Sequence, residues 1–273
     1  MSALAFCAAA TPQNMLLAAL TAVEWDHVRR TLRPIFMPLG GVLYEPGMNI
    51  NQIYFPMTSV ICISRMMNDG SADAVTLIGR EGFAGIEAFL GSDSAPCRAV
   101  VLSAGWGYRV ERECLSQECH RDGSLRSVLL RYIQSYLTQV AQTAVCNRHH
   151  AIDQQLCRWL LMFLDRQTSN NLTLTQEQIG NLMGVRRESI TQAAGMLQIE
   201  GSIHYHRGHV TMVDRTRLEA HSCECYAVAK REIDRLLAIS QRSTRMAAAP
   251  VAIDRFRIER TNRRAMLASQ TSA

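Results

Sequence analysis

Three patterns of apolar and polar positions follow one another along the chain. Over residues 13–33, Leu16, Leu17, Leu20, Val23, Val28 and Leu32 recur at helical spacing, which predicts an N-terminal helical cap ended by Pro34. From Ile35 to about Val110 the period changes. Short apolar runs (Ile53-Tyr54-Phe55, Val60–Ile63, Ala74–Ile78 and Ala99–Leu102) are separated by Leu39-Gly40-Gly41, Glu45-Pro46-Gly47, Asn68-Asp69-Gly70 and Ser103-Ala104-Gly105. Strands at intervals of about 8–12 residues with such turns predict a small sandwich or barrel. Asn68-Asp69-Gly70 is the best hairpin candidate, because Asp-Gly supplies the positive φ that tight turns need.

From Ser124 to Cys146 the helical period returns. Leu125, Leu129, Tyr132, Tyr136, Val140 and Thr143 form one stripe, close to the ~3.5-residue repeat of paired helices, flanked by Leu130, Ile133 and Leu137. A solvated helix does not carry that much apolar surface. The helix either packs on its own domain or pairs with a second copy across a two-fold axis, and the dimer is the favoured reading. A further helix, about Ala151 to Asp165, buries Leu156, Trp159, Leu160 and Phe163 and is broken by Thr168-Ser169-Asn170-Asn171. After Tyr226 a helix continues through Leu237. Residues 240–273 lack a period and read as a mobile basic tail, with a sequence-independent attraction for phosphates.

The segment from Leu174 to Leu197 carries the most specific signal. Thr175 can cap a helix running to Met183, Gly184 stands where a tight turn needs a left-handed residue, and a second helix starts near Arg186. Ile179, Met183, Val185, Ile190 and Ala193 supply a shared apolar core, and Gly180 is small where the two backbones cross. These features define a helix-turn-helix. The second helix opens with Arg186-Arg187-Glu188-Ser189, and Gln192 follows on the same face as Glu188. Arginine can donate twice to guanine, and glutamate can accept from cytosine N4. A DNA-facing acid is unfavourable unless it reads a base, so Arg186, Arg187, Glu188 and Gln192 are assigned to base reading. Beyond Leu197, Ile203/Tyr205 and Val210/Met212 alternate around Arg207-Gly208, which predicts a two-stranded wing with Arg207 and His209 at its tip. Arg207 and His209, together with Thr175 and Ser189, are assigned to phosphate contacts that set register.

Charge sharpens the picture only locally. Residues 227–273 hold ten Lys/Arg against four Asp/Glu, whereas residues 1–226 hold nineteen against twenty, so the body is near neutral. No apolar run is long enough to span a membrane, Met1–Ala10 has no basic n-region, and Phe6 spoils a lipoprotein site at Cys7. The expected location is cytoplasmic. The nine cysteines read as reduced, mostly buried thiols. Cys223-x-Cys225 is too tight for the usual knuckle and has no matching second pair, and His204, His206 and His209 read as a solvated wing, so no metal is assigned.

The chain resembles the Crp/Fnr superfamily of bacterial transcription regulators over about residues 15–220, most closely in Ile179-Gly-x-x-x-Gly184-Val-x-Arg187-Glu188-Ser189. The resemblance implies an α+β fold: an N-terminal β jelly roll like a cyclic-nucleotide-binding domain (13–119), a long dimerisation helix (120–147) and a C-terminal winged helix-turn-helix (148–226), here followed by the basic segment 227–273. It makes Arg187 and Glu188 the base-reading pair and Arg186 a neighbouring contact. Gln192 stands where relatives often carry a basic residue. Nucleotide-binding relatives have Gly-Glu-Leu and Arg-Ser/Thr-Ala steps. Here Ile86 takes the Glu position with Glu87 offset by one, and Cys97-Arg98-Ala99 matches only in part. A one-residue offset turns a side chain elsewhere, so Glu87, Cys97 and Arg98 mark a degenerate effector pocket and cyclic AMP is not assigned.

The expected function is a non-enzymatic, dimeric regulator of transcription on a pseudo-palindromic site, with double-stranded DNA, a second copy through 124–146 and RNA polymerase as partners, and no membrane. The alternative is a regulatory scaffold whose helix-turn-helix contacts protein. A metal-dependent jelly-roll enzyme is disfavoured, since residues 35–110 contain no histidine to build its centre.

Overall fold

The computed structural model describes residues 12–68, 72–121, 123–167, 170–206 and 208–248, with side chains as far as 238. Two short helices open the described chain, α1 (Met15–Ala18) and α2 (Ala22–Val28). The continuous cap expected over 13–33 is thus corrected. Two cap signals interrupt the apolar period: Asn14 accepts from Leu16 N and Leu17 N, and Thr21 forms a reciprocal capping box with Glu24. Pro34 does not end a helix but lies in β1 (Arg33–Met37), at the edge of its sheet, where a missing N–H is tolerated.

Six more strands follow: β2 (Val42–Tyr44), β3 (Gln52–Pro56), β4 (Val60–Met66), β5 (Ala72–Ile78), β6 (Arg98–Ser103) and β7 (Gly105–Glu111). They form two antiparallel sheets, β1-β7-β3 and β2-β6-β4-β5, which face each other as the jelly roll. β4 and β5 pair as a hairpin out to Met66 and Ala72, and the Asp69-Gly70 step of its turn lies outside the described residues. β4 is buried on both faces. Ile61 and Ile63 join the sandwich core, while Val60 and Cys62 join a second core with Leu77, Leu102 and the C-terminal domain. The run Val60–Ile63 therefore shows no alternation, as expected of a strand covered on both sides.

Helices α3 (Ile86–Phe89) and α4 (Arg112–Cys119) flank the sandwich and lead to the long α5 (Leu125–His149). Glu24 ties α2 to the head of α5, accepting from Ser124 N and, at 3.1 Å, from Ser124 Oγ. Burial opposes its ionisation, but the hydrogen bonds from Ser124 and Thr21 outweigh that and hold its carboxyl below the usual range. A depressed carboxyl stabilises the fold above its unfolded pKa, and the contribution is lost as pH falls through the folded value. Glu24→Gln should accordingly be less stable than the parent at pH 7, with the gap narrower at about pH 3, where acidification begins to protonate the carboxyl. Urea midpoints at the two pH values test this, and a gap that does not narrow refutes it.

The sequence stripe on α5 is spent within the subunit. Leu125, Leu129 and Tyr132 are buried in the sandwich core, and Tyr136 packs against it. The stripe expected to pair with a second copy is thus largely covered by the chain itself, and the exposed apolar positions lie on its flank. Leu130 and Leu137 are 44% and 61% exposed, and Ala141, Ala144 and Val145 continue their line.

After α6 (Ile152–Leu164), the C-terminal domain contains β8 (Asn171–Thr173), α7 (Gln176–Met183), α8 (Arg187–Ile199), β9 (Ile203–His206), β10 (His209–Met212) and α9 (Arg215–His221). The last described helix, α10, spans Glu224–Ala248. It runs past Ser240, so the tail expected over 240–273 is corrected to helix as far as Ala248, and residues 249–273 lie outside the described part. It lies antiparallel to α5, with Gln134 Nε2 donating to Glu232 Oε1 (3.4 Å) and Gln142 Nε2 to Cys225 Sγ (3.0 Å).

Candidate nucleic-acid interface

The helix-turn-helix is built as its residue types dictate. Thr175 Oγ1 accepts from Gln178 N (3.1 Å), and Gln178 Oε1 accepts from Thr175 N (2.8 Å), fixing the start of α7. Gly184 ends α7 with φ +67°, a left-handed conformation that side-chain-bearing residues avoid. A Cβ on Gly180 would stand 2.9 Å from Val185 O, so only glycine lets the turn close over α7. Ile190, Ala193, Ala194 and Leu197 form the buried face of α8, packed with Ile179, Ile203, Val210 and Leu218. Thr191 Oγ1 donates to Gln176 Oε1 at 2.7 Å and locks the two helices together.

Arg186 is the N-cap residue of α8, with extended backbone, and α8 begins at Arg187. Arg186, Arg187, Glu188 and Gln192 are all exposed on one side of the domain, and Ser189 is half-buried. No ion pair ties up Arg186, Arg187 or Glu188 among the described residues. Charged groups at the N-terminal turn of a helix, left free of protein partners, are available for a duplex.

The wing has three strands rather than the expected two. β10 pairs with β9 (His206↔His209, Ile203↔Met212) and also with β8 (His209↔Thr173). The polar run around Asn171 concealed β8. Gly208 turns the hairpin with φ +81°, and Arg207 lies outside the described residues. His209 is exposed, with Nδ1 3.3 Å from Thr173 Oγ1. His204 and His206 stack on the open face of β9 with ring centroids 6.5 Å apart.

In the jelly roll, Arg98 Nε approaches Glu45 Oε1 to 3.0 Å, though too poorly aligned for a hydrogen bond. Cys97 lies apart from that pair, beside Glu87 and Arg65. Burial and the Glu87 carboxylate push its thiol up against the hydrogen bond from Arg65. Buried Tyr44 lies next to Glu87 and Tyr136, and its hydroxyl accepts from Gly85 N at 3.3 Å. The protein's own side chains thus fill much of this corner. A cavity of about 540 Å³ opens elsewhere, between α3, α4 and the start of α5, lined by Phe89, Arg112, Gln117, His120, Arg126 and Leu130.

One arrangement went unseen in the sequence. Cys223 and Cys225 do have partners, namely Cys146 and His150 at the end of α5. The Cys146-x-x-x-His150 step on a helix was the available signal.

A jelly roll, a long helix and a winged helix-turn-helix thus follow one another along the chain. The family profile described as a Crp-like helix-turn-helix domain matches residues 154–221. The chain is also similar in structure to a transcriptional regulator of the Crp/Fnr family from Eubacterium rectale (TM-score 0.59, 16% identity, 76% of this chain and 96% of that one). FixK2 from Bradyrhizobium japonicum matches at TM-score 0.58 and 15% identity, over 70% of this chain and 98% of that one. The c-di-GMP-responsive global regulator CLP of Xanthomonas campestris matches at 0.56 and 15%, over 71% and 99%. A search of curated protein sequences gives no match. Residues 154–221 thus match the Crp-like helix-turn-helix profile, and the chain has the fold of these Crp/Fnr regulators over the part they cover. No described helix is long and apolar enough to cross a membrane.

Proposed function

We propose that the chain is a sequence-specific DNA-binding transcription regulator acting as a homodimer on a pseudo-palindromic site. The observation that carries this is the exposed, unpaired Arg186-Arg187-Glu188 turn at the head of α8, with Gln192 one turn on, in a domain of the Crp-like family. The line of Leu130, Leu137, Ala141, Ala144 and Val145 on α5 supports pairing with a second copy, because these residues lie near a heptad spacing and are left exposed by the described residues. Two copies then present two α8 helices to successive turns of the major groove. Glu87, Cys97 and Arg98 are where an effector would act, and the filled corner around Tyr44 favours DNA binding without cyclic nucleotide.

Selection of bound duplexes from a random pool, with no ligand added, should enrich an inverted repeat with half-sites about one helical turn apart. Recovery of no common motif overturns the reading. Arg187→Ala should lose about 1–3 kcal/mol on the selected site and relax preference at one base pair. Equal losses on selected and random duplex would remove Arg187 from base reading.

A further inference from the structure

Where the end of α5 meets the head of α10, four side chains converge from two distant parts of the sequence. Cys146 and His150 lie one turn apart on α5, while Cys223 precedes α10 and Cys225 lies in its first turn. Their ligand atoms all lie within 4.8 Å of one another. Cys146 Sγ is 3.5 Å from Cys223 Sγ, and Cys225 Sγ is 3.5 Å from His150 Nδ1. Tetrahedral zinc, with Zn–S near 2.3 Å and Zn–N near 2.0–2.1 Å, sets its ligand atoms about 3.3–3.8 Å apart. The three sulfurs are buried.

We propose that Cys146, His150, Cys223 and Cys225 bind one zinc ion, a Cys₃His structural site that fastens the C-terminal helix to the end of the long helix. Two surrounding features fit such an ion. His150 turns Nδ1 toward the sulfurs and Nε2 toward Glu224 Oε2 at 3.2 Å, so the carboxylate can hold the ring in the tautomer whose Nδ1 lone pair is free. Arg158 is 4% exposed, its Nε has no hydrogen-bond partner, and no carboxylate pairs with it among the described residues. A buried guanidinium needs an anion. On metal binding the three thiols release their protons to solvent, three Zn–S bonds form, and the centre carries one net negative charge beside Arg158. Gln142 Nε2, which donates to Cys225 Sγ, supports the thiolate. The ligand set and its compactness favour zinc over an iron–sulfur cubane, which holds its four ligands farther apart. Both ends of the staple are structurally committed, since His150 is also the C-cap of α5, where the chain turns into α6.

The test is metal analysis of the full chain purified without chelators or metal-affinity resin. One zinc per chain is expected, falling below about a tenth in Cys223→Ser and His150→Ala and unchanged in Cys119→Ser, whose thiol lies outside the cluster. Because the variants could misfold, the parent chain is also stripped of metal and titrated with cobalt. Intense thiolate-to-cobalt absorption with tetrahedral d–d bands, saturating at one equivalent, supports the site. A metal-free parent that takes up no tetrahedral cobalt overturns it, as does a Cys146–Cys223 disulfide in the purified chain or an iron–sulfur chromophore.

Discussion

Arg166→Ala is expected to destabilise the fold by about 3–5 kcal/mol, the cost typical of stranding one half of a buried ion pair. Arg166 follows α6, and its Nε stands 2.8 Å from Glu81 Oε1, with both side chains under a tenth exposed. The same guanidinium donates to Leu77 O (3.1 Å), Met162 O (2.6 Å) and Gln139 Oε1 (2.5 Å). It therefore joins β5, the loop after it, α5 and α6 at one point. Removing it leaves Glu81, among the described residues, with the Gly79 N–H (3.1 Å) alone, while Glu81 Oε2 already lacks a partner there. The loss would be read from urea midpoints at pH 7. The companion variant Glu81→Leu/Arg166→Met separates the cost of a stranded charge from the worth of the pair, because apolar replacement of both partners is often neutral. It should recover most of the stability lost in Arg166→Ala. A single variant within about 1 kcal/mol of the parent would mean that water reaches Glu81 and that the site is not the joint described.

The joint also shows where sequence reasoning stops. The helix-turn-helix was legible because its constraints are local: Thr175, Gly180, Gly184 and the apolar spacing from Ile179 to Leu197 all act within one short segment. Four strands were legible as apolar runs. β1, β2 and β7 were not: β1 and β2 carry half-exposed or exposed residues at sheet edges, where an outward Phe36 or Val42 breaks the pattern, and the central β7 is interrupted by Gly105, Gly107 and Arg109. The double burial of β4 was visible as a run without alternation, but not the identity of what covers its outer face. Arg166 and Glu81 are far apart in sequence and look like ordinary surface charges. The four zinc ligands failed for the same reason: each half is an unremarkable pair, and only the antiparallel packing of α10 on α5 unites them. The stripe on α5 misled in a more instructive way. Its apolar period is that of the helix observed, but period cannot say which of several apolar faces the chain covers for itself.

That distinction decides the second large effect. Leu137→Glu should abolish the dimer and reduce affinity for the inverted-repeat site by about 10²–10⁴-fold, the loss expected when two linked reading heads become independent. Leu137 is 61% exposed and stands one heptad after Leu130, also exposed, so a carboxylate there costs the isolated subunit little. In a two-fold pairing of α5 helices the same carboxylate meets its own copy near the axis, desolvated and of like charge. Thermal stability of the subunit and single half-site contacts through Arg187 should survive, whereas sedimentation should shift from dimer to monomer. Tyr132→Ala serves as the contrast. Tyr132 belongs to the original stripe but is buried against Phe83, with ring centroids 5.3 Å apart, so its loss should destabilise the fold rather than the assembly. If Leu137→Glu remains dimeric with full operator affinity, α5 is not the seam, and the exposed line from Leu130 to Val145 must face some other partner.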